Sequence, residues 1–165
     1  FSSGIARLRL VFVKRFLGRQ QIAVDRVLEL GPGPGFFARS WMEQSPSSVY
    51  SVVETDSSCH GSLQALGARL VGAADVVPTD LVVMSHVLEH VSDPVAFVRA
   101  ATRGLRQGGA LFIEVPCRDC LQSVCPQPGH PCLRNVSPHD VAIAARTLLA
   151  QPLAPTEPVH ARATC

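Results

Sequence analysis

The chain has 165 residues, 47% of them hydrophobic and 17% charged, with a net charge of +2. That length makes one domain with room for a core, and the balance excludes a disordered segment and a strongly basic nucleic-acid binder. No apolar run approaches the ~20 residues that cross a bilayer.

Residues 5–19 predict an amphipathic helix, because Ile5, Leu8, Phe12 and Phe16 recur at helical spacing among five basic residues. A basic amphipathic helix can lie on an anionic membrane. Cover for a sheet, with the arginines solvated, is the preferred reading. Its basic residues also break any resemblance to a secretory signal. A buried strand follows at 26–30, since an apolar run of this kind needs cover on both faces. After a glycine-rich turn, a helix runs from Phe36 to Gln44 and a second strand from Val49 to Glu54. A short helix is expected over 58–67, a third strand at 69–72 and a fourth at 81–85. Ser92 can cap the next helix with Pro94 in its first turn. Val95, Val98 and Leu105 share its face, and Gly108 supplies the stop. A fifth strand takes 110–115. Strands alternating with helices over short connections specify an α/β protein with a doubly wound parallel sheet.

The turn after the first strand is the most specific feature. Glu29 ends the apolar run, and Gly31, Gly33 and Gly35 follow at alternate positions. Glycine admits positive φ and has no Cβ, so such a turn can press its backbone against a ligand. A dinucleotide-binding turn wants its third glycine one residue later, where Phe36 stands. That position opposes a nicotinamide oxidoreductase. An acid at the end of the second strand, Glu54, is placed to accept hydrogen bonds from ribose hydroxyls. The bland reading of Glu54 is a solvated acid at a strand end.

Glu29-Leu-Gly31-Pro-Gly33-Pro-Gly35 resembles motif I of the class I S-adenosylmethionine-dependent methyltransferases. Asp80-Leu-Val-Val-Met-Ser-His86-Val-Leu-Glu89-His90, then Asp93-Pro94, Leu105-Arg-Gln-Gly-Gly109 and Leu111-Phe-Ile-Glu-Val115-Pro116 are similar to a long ordered stretch of the small-molecule members. The resemblance covers roughly residues 22–118. It implies a Rossmann-like sheet of order 3-2-1-4-5, with S-adenosyl-L-methionine bound at the carboxyl ends of the strands. It further implies that Gly31, Pro32, Gly33 and Gly35 line the methionyl and ribose portion. Glu29 would meet the amino-acid end, Glu54 and Thr55 the ribose side, and Ser85 and His86 the cavity mouth. Relatives often carry an adenine-binding acid where this chain has Ala73; either Asp75 substitutes from two positions on, or backbone groups take that role and Asp75 is a turn residue. His86 is the candidate general base, because histidine titrates near neutrality. His90 is a second catalytic candidate, for acceptor contact, with a structural role as the alternative. His86-Val-Leu-Glu89-His90 also has the order of an inverted zinc-protease motif, but such a protease has no use for the glycine turn.

From Pro116 to the end the match thins, and eight of the thirteen prolines lie there. The expected organisation is a methyltransferase domain over 1–150, made of a cover helix (1–21), a cofactor-binding core (22–118) and a Cys/Pro-rich loop and helix (119–150). A loose tail would follow at 151–165. The relatives' last two strands find no sequence here, so the fifth strand is expected as an exposed edge, a surface for a homodimer. Cys117, Cys120, Cys125 and Cys132 have soft-ligand chemistry but no recognised zinc spacing, and reduced thiols of a cytoplasmic protein are the default. No metal is expected. The partner is a small-molecule acceptor, with neither nucleic acid nor membrane. A weak or inactive methyltransferase-like scaffold is the alternative.

Overall fold

A computed structural model describes residues 3–115. The expectations for Cys117, Cys120, Cys125 and Cys132, for the loop and helix over 119–150, for the tail and for the missing strands lie outside the described residues. Five parallel strands, β1 (Arg26–Leu30), β2 (Val49–Val53), β3 (Arg69–Leu70), β4 (Thr79–Ser85) and β5 (Leu105–Glu114), form one sheet. Their spatial order is β3-β2-β1-β4-β5, with the reversal between β1 and β4. The helices are α1 (Ser3–Arg19), α2 (Phe36–Gln44), α3 (His60–Ala65) and α4 (Pro94–Ala101).

Period-two alternation along each strand divides the core into two layers. Val27, Tyr50, Val52, Leu81, Val83 and Ala110 face the layer closed by α1, α2 and α3, with Trp41 and Leu10 wholly buried in it. Leu28, Leu30, Val82 and Met84 face the other way, against Val98 of α4. Both faces are covered, which is why the strands read as unbroken apolar runs.

Three local expectations need correction. Helix α1 does cover the sheet, but it buries Ala6, Leu10, Val13 and Leu17. Ile5, Leu8, Phe12 and Phe16 are on its exposed side. Both sets recur at helical spacing, and only the first fits under the neighbouring helix α2. The cap of α4 is Asp93 rather than Ser92: its carboxylate accepts from the Ala96 amide at 2.9 Å, with Pro94 at the first helical position. That helix ends at Ala101, and Gly108 lies inside β5 instead of stopping it. The chain turns at Gly104, where an added Cβ would sit 1.9 Å from the Val77 carbonyl oxygen. Thr79 pairs with Leu105 but Leu81 with Ala110, so Arg106–Gly109 bulge out of the ladder.

The bulge has a purpose in the packing. Asp80, buried at the start of β4, accepts from the amides of Asp25 and Arg26 at 3.0 and 2.8 Å and from Arg106 Nε at 2.8 Å. Burial alone would raise its pKa, but these donors outweigh it and hold the carboxyl below the ordinary value. One carboxylate thus ties together the entry to β1, the start of β4 and the bulge of β5.

Candidate cofactor site at the strand ends

The glycine turn leaves β1 at the switch point of the sheet, where open α/β sheets bind ligands. Gly31, Gly33 and Gly35 have φ of 64°, 54° and 80°. The three differ in what surrounds them. A Cβ on Gly31 would come 2.8 Å from Val87 Cγ2, and one on Gly35 would meet Leu63 and Leu66 at 2.9 and 3.0 Å. These two are glycines for packing. A Cβ on Gly33 meets nothing within 4 Å. Its face is open to a cavity of about 190 Å³.

Glu54 turns toward this loop. One carboxylate oxygen accepts from the Gly33 amide at 2.8 Å and the other from the Asp56 amide at 2.8 Å. Both bonds hold the acid across the mouth of the turn, 21 residues from Gly33 in sequence. Thr55, beside it, is exposed. Asp75 bends back on its own turn, accepting from the Gly72 amide at 2.8 Å.

Glu29 lines the cavity from below and is 3% exposed. Tyr50, its neighbour on β2, donates its hydroxyl to Glu29 Oε2 at 2.7 Å. Burial raises the Glu29 pKa from 4.5 to about 7, against the lowering effects of the Tyr50 hydrogen bond and the Arg9 charge. Burial and the adjacent carboxylate push the Tyr50 phenol well above its ordinary value. The floor of the cavity is therefore an acid poised to ionise when a cation arrives.

His86 stands on the opposite rim with φ of 57°, a left-handed backbone that side chains adopt at a cost. Its amide donates to the Glu114 carbonyl at 2.8 Å. Its Nδ1 lies 3.4 Å from Glu89 Oε1 and its Nε2 3.6 Å from Glu114 Oε1. Glu114 is also held by Arg9 of α1 through both guanidinium nitrogens that face it, Nη2 at 3.0 Å from Oε1. Ser85 lines the cavity, and its buried hydroxyl has no hydrogen-bond partner among the described residues.

The structure thus gathers Glu29, Gly31, Pro32, Gly33, Ser85 and His86 around one cavity, with Glu54 bonded to its loop. Gly35 sits behind the turn and starts α2. Asp75 bonds within its own turn, away from that cavity lining. His90 is exposed at the end of a 3-10 turn, Leu88–His90, so the two histidines share no α-helical face. Sequence reasoning missed Ala6 and Arg9 of α1, Phe36 and Phe37 after the turn, Tyr50 and Glu114. A motif reading starts at the turn and passes over a helix that precedes it by twelve residues or more. The acid at the end of β5 was visible, but nothing in the sequence pointed it at Arg9. Among the described residues, no group of three or more His, Cys, Asp or Glu could hold a metal, and no helix is long and apolar enough to cross a membrane.

A family model described as a methyltransferase domain matches residues 5–153. No curated protein matches the sequence. Among solved structures, the plantazolicin methyltransferase BpumL in complex with SAH is similar at 12% identity and TM-score 0.57, over 66% of this chain and 47% of that one. An S-adenosylmethionine-dependent methyltransferase from Clostridium acetobutylicum ATCC 824 follows at 16% identity and TM-score 0.51, over 61% and 47%. Coclaurine N-methyltransferase, bound to N-methylheliamine and SAH, is similar at 18% identity and TM-score 0.52, over 63% and 34%. These likenesses share the fold. The chain spans about half, or less, of the length of those proteins.

Proposed function

Because the chain belongs to the methyltransferase-domain family, we propose that it is an S-adenosylmethionine-dependent methyltransferase acting on a small-molecule acceptor. The observation that carries the reading is Gly33: a positive-φ residue whose missing side chain leaves open cavity, with Glu54 bonded to its amide. Packing explains the other two glycines and does not explain this one. The residues fit the cofactor. Glu29 supplies a buried carboxylate for an ammonium group, Gly33 a bare backbone face, Glu54 a carboxylate for ribose hydroxyls, and Ser85 a hydroxyl in need of a partner.

When bound, S-adenosylmethionine supplies an electrophilic methyl group on a positively charged sulfur. The protein's part is alignment, exclusion of water and proton removal. Glu29, the Gly33 backbone and Glu54 would hold the cofactor so that this methyl is offered to an acceptor lone pair, with sulfur leaving as the neutral thioether. The acceptor's proton passes to the His86 imidazole, and the carboxylates of Glu89 and Glu114 stabilise the resulting cation. His90, exposed at the end of the Leu88–His90 turn, would be a contact for the outer part of the acceptor. No metal enters this scheme.

Calorimetric titration of the full chain with S-adenosylmethionine tests the reading. Saturable binding of one equivalent is expected. Absence of heat at millimolar ligand would leave the second reading, a methyltransferase-like scaffold. That reading draws on Ala73, which stands where relatives place an adenine-binding acid, while Asp75 is occupied by its own turn. Its working surface would be the outer edge of β5, open to a second copy of the chain among the described residues.

A further inference from the structure

We propose that the apolar groove on the outer side of the Arg9–Glu114 ion pair binds the methyl acceptor, and that it selects a flat, uncharged aromatic molecule. The proposal rests on the methyltransferase reading and adds the substrate class. The groove, about 370 Å³, runs between α1 and β5 and is walled by Ile5, Leu8, Phe12, Phe112 and Ile113. Arg9 and Glu114 close its inner end.

Continuity with the cofactor cavity decides where a ligand in this groove would point. Arg9 lines both spaces, and Glu114 lies 3.6 Å from the His86 ring that rims the cavity. A molecule lying in the groove therefore ends against the Arg9–Glu114 pair, which borders both the cavity and the His86 ring. Phe112 packs against the core, but among the described residues the core clusters include none of Ile5, Leu8, Phe12 and Ile113. Leu8 is 72% and Phe12 66% exposed, although α1 already buries a full seam on its other side. Exposed apolar patches of this kind mark binding surfaces.

The lining also sets the chemistry. Phe12 and Phe112 present rings 6.4 Å apart at 56°, a tilted pair that accepts a further ring against its faces or edges. The cation in the lining, Arg9, is held by both Glu114 oxygens, so no unpaired positive charge is offered to a carboxylate or phosphate. An uncharged aromatic ring system bearing a nitrogen or oxygen nucleophile satisfies both conditions.

The test uses N-phenyl-1-naphthylamine, a neutral dye that brightens in apolar sites, with the full chain saturated by S-adenosylhomocysteine. Saturable dye binding is expected. The double variant Leu8→Lys, Phe12→Ser, both at exposed positions, should weaken it about tenfold or more while S-adenosylhomocysteine binds as before. Equal dye binding by both proteins overturns the groove and leaves the cofactor reading intact. So does absent dye binding with normal S-adenosylhomocysteine binding, the result expected if residues 116–165 or a second copy cover the groove. Loss of S-adenosylhomocysteine binding by the unsubstituted chain overturns the methyltransferase reading itself, and this proposal with it.

Discussion

At the scale of single residues, the site separates glycines and acids that look alike in sequence. Gly33→Ala meets no atom, so its cost is the positive φ alone, about 1 kcal/mol. Its methyl group would nonetheless occupy the cavity, and S-adenosylhomocysteine affinity should fall about tenfold or more by calorimetry. Gly35→Ala collides with Leu63 and Leu66 and should lower the melting temperature clearly more than Gly33→Ala does. Equal melting losses would mean that the Gly33 backbone is held as tightly as Gly35. Glu29 gives a pH signature. Its folded pKa, about 7, lies above the ordinary 4.5. The native state therefore holds more protons than the unfolded chain between those values. The contribution of Glu29 to stability is complete below 4.5 and is lost as pH rises through about 7, by about 3 kcal/mol in all. Denaturant midpoints measured across that range should slope downward for the unsubstituted chain and flatten in Glu29→Gln.

At the scale of elements, Asp80 is the counterpart. Its pKa is depressed, so the stability it provides is present above the ordinary carboxyl value of 3.8 and is lost as pH falls below it. Asp80→Ala strands the Asp25 and Arg26 amides and the Arg106 fork, and should cost about 3 kcal/mol by equilibrium denaturation. A loss under ~1 kcal/mol would show that water replaces the carboxylate. The elements were largely legible in the sequence because each rests on a local pattern. Apolar runs marked β1, β2 and β4, and alternation of strand and helix implied their parallel pairing. What escaped was what a partner decides. Two helical stripes run along α1, and only Trp41 and its neighbours on α2 choose Ala6, Leu10, Val13 and Leu17. Gly108 looks like a helix stop until the Asp80–Arg106 tie draws that segment into a bulge. The glycine turn and Glu54 were legible because their chemistry is local. Arg9 and Glu114 were not, since 105 residues separate them.

At the scale of the molecule, the described residues cover the two faces of the sheet unequally. Three helices close one layer, with four buried residues from α1 alone, while α4 contributes Val98 to the other. Hydrogen exchange followed by mass spectrometry should show α4 and the Leu88–His90 turn opening before α1 and α2. Protection of α4 equal to that of α1 would place the weak point elsewhere. Arg9 of α1, which lines the cavity, is in turn held from the opposite end of the described chain by Glu114, the last position of β5. A ribosome making this protein emits the helix first and Glu114 more than a hundred residues later. Until that acid has left the exit tunnel, Arg9 has nothing to grip and the nascent body is unfinished on its ligand side. The Arg9 side of the cavity wall is thereby fixed only when the fifth strand docks.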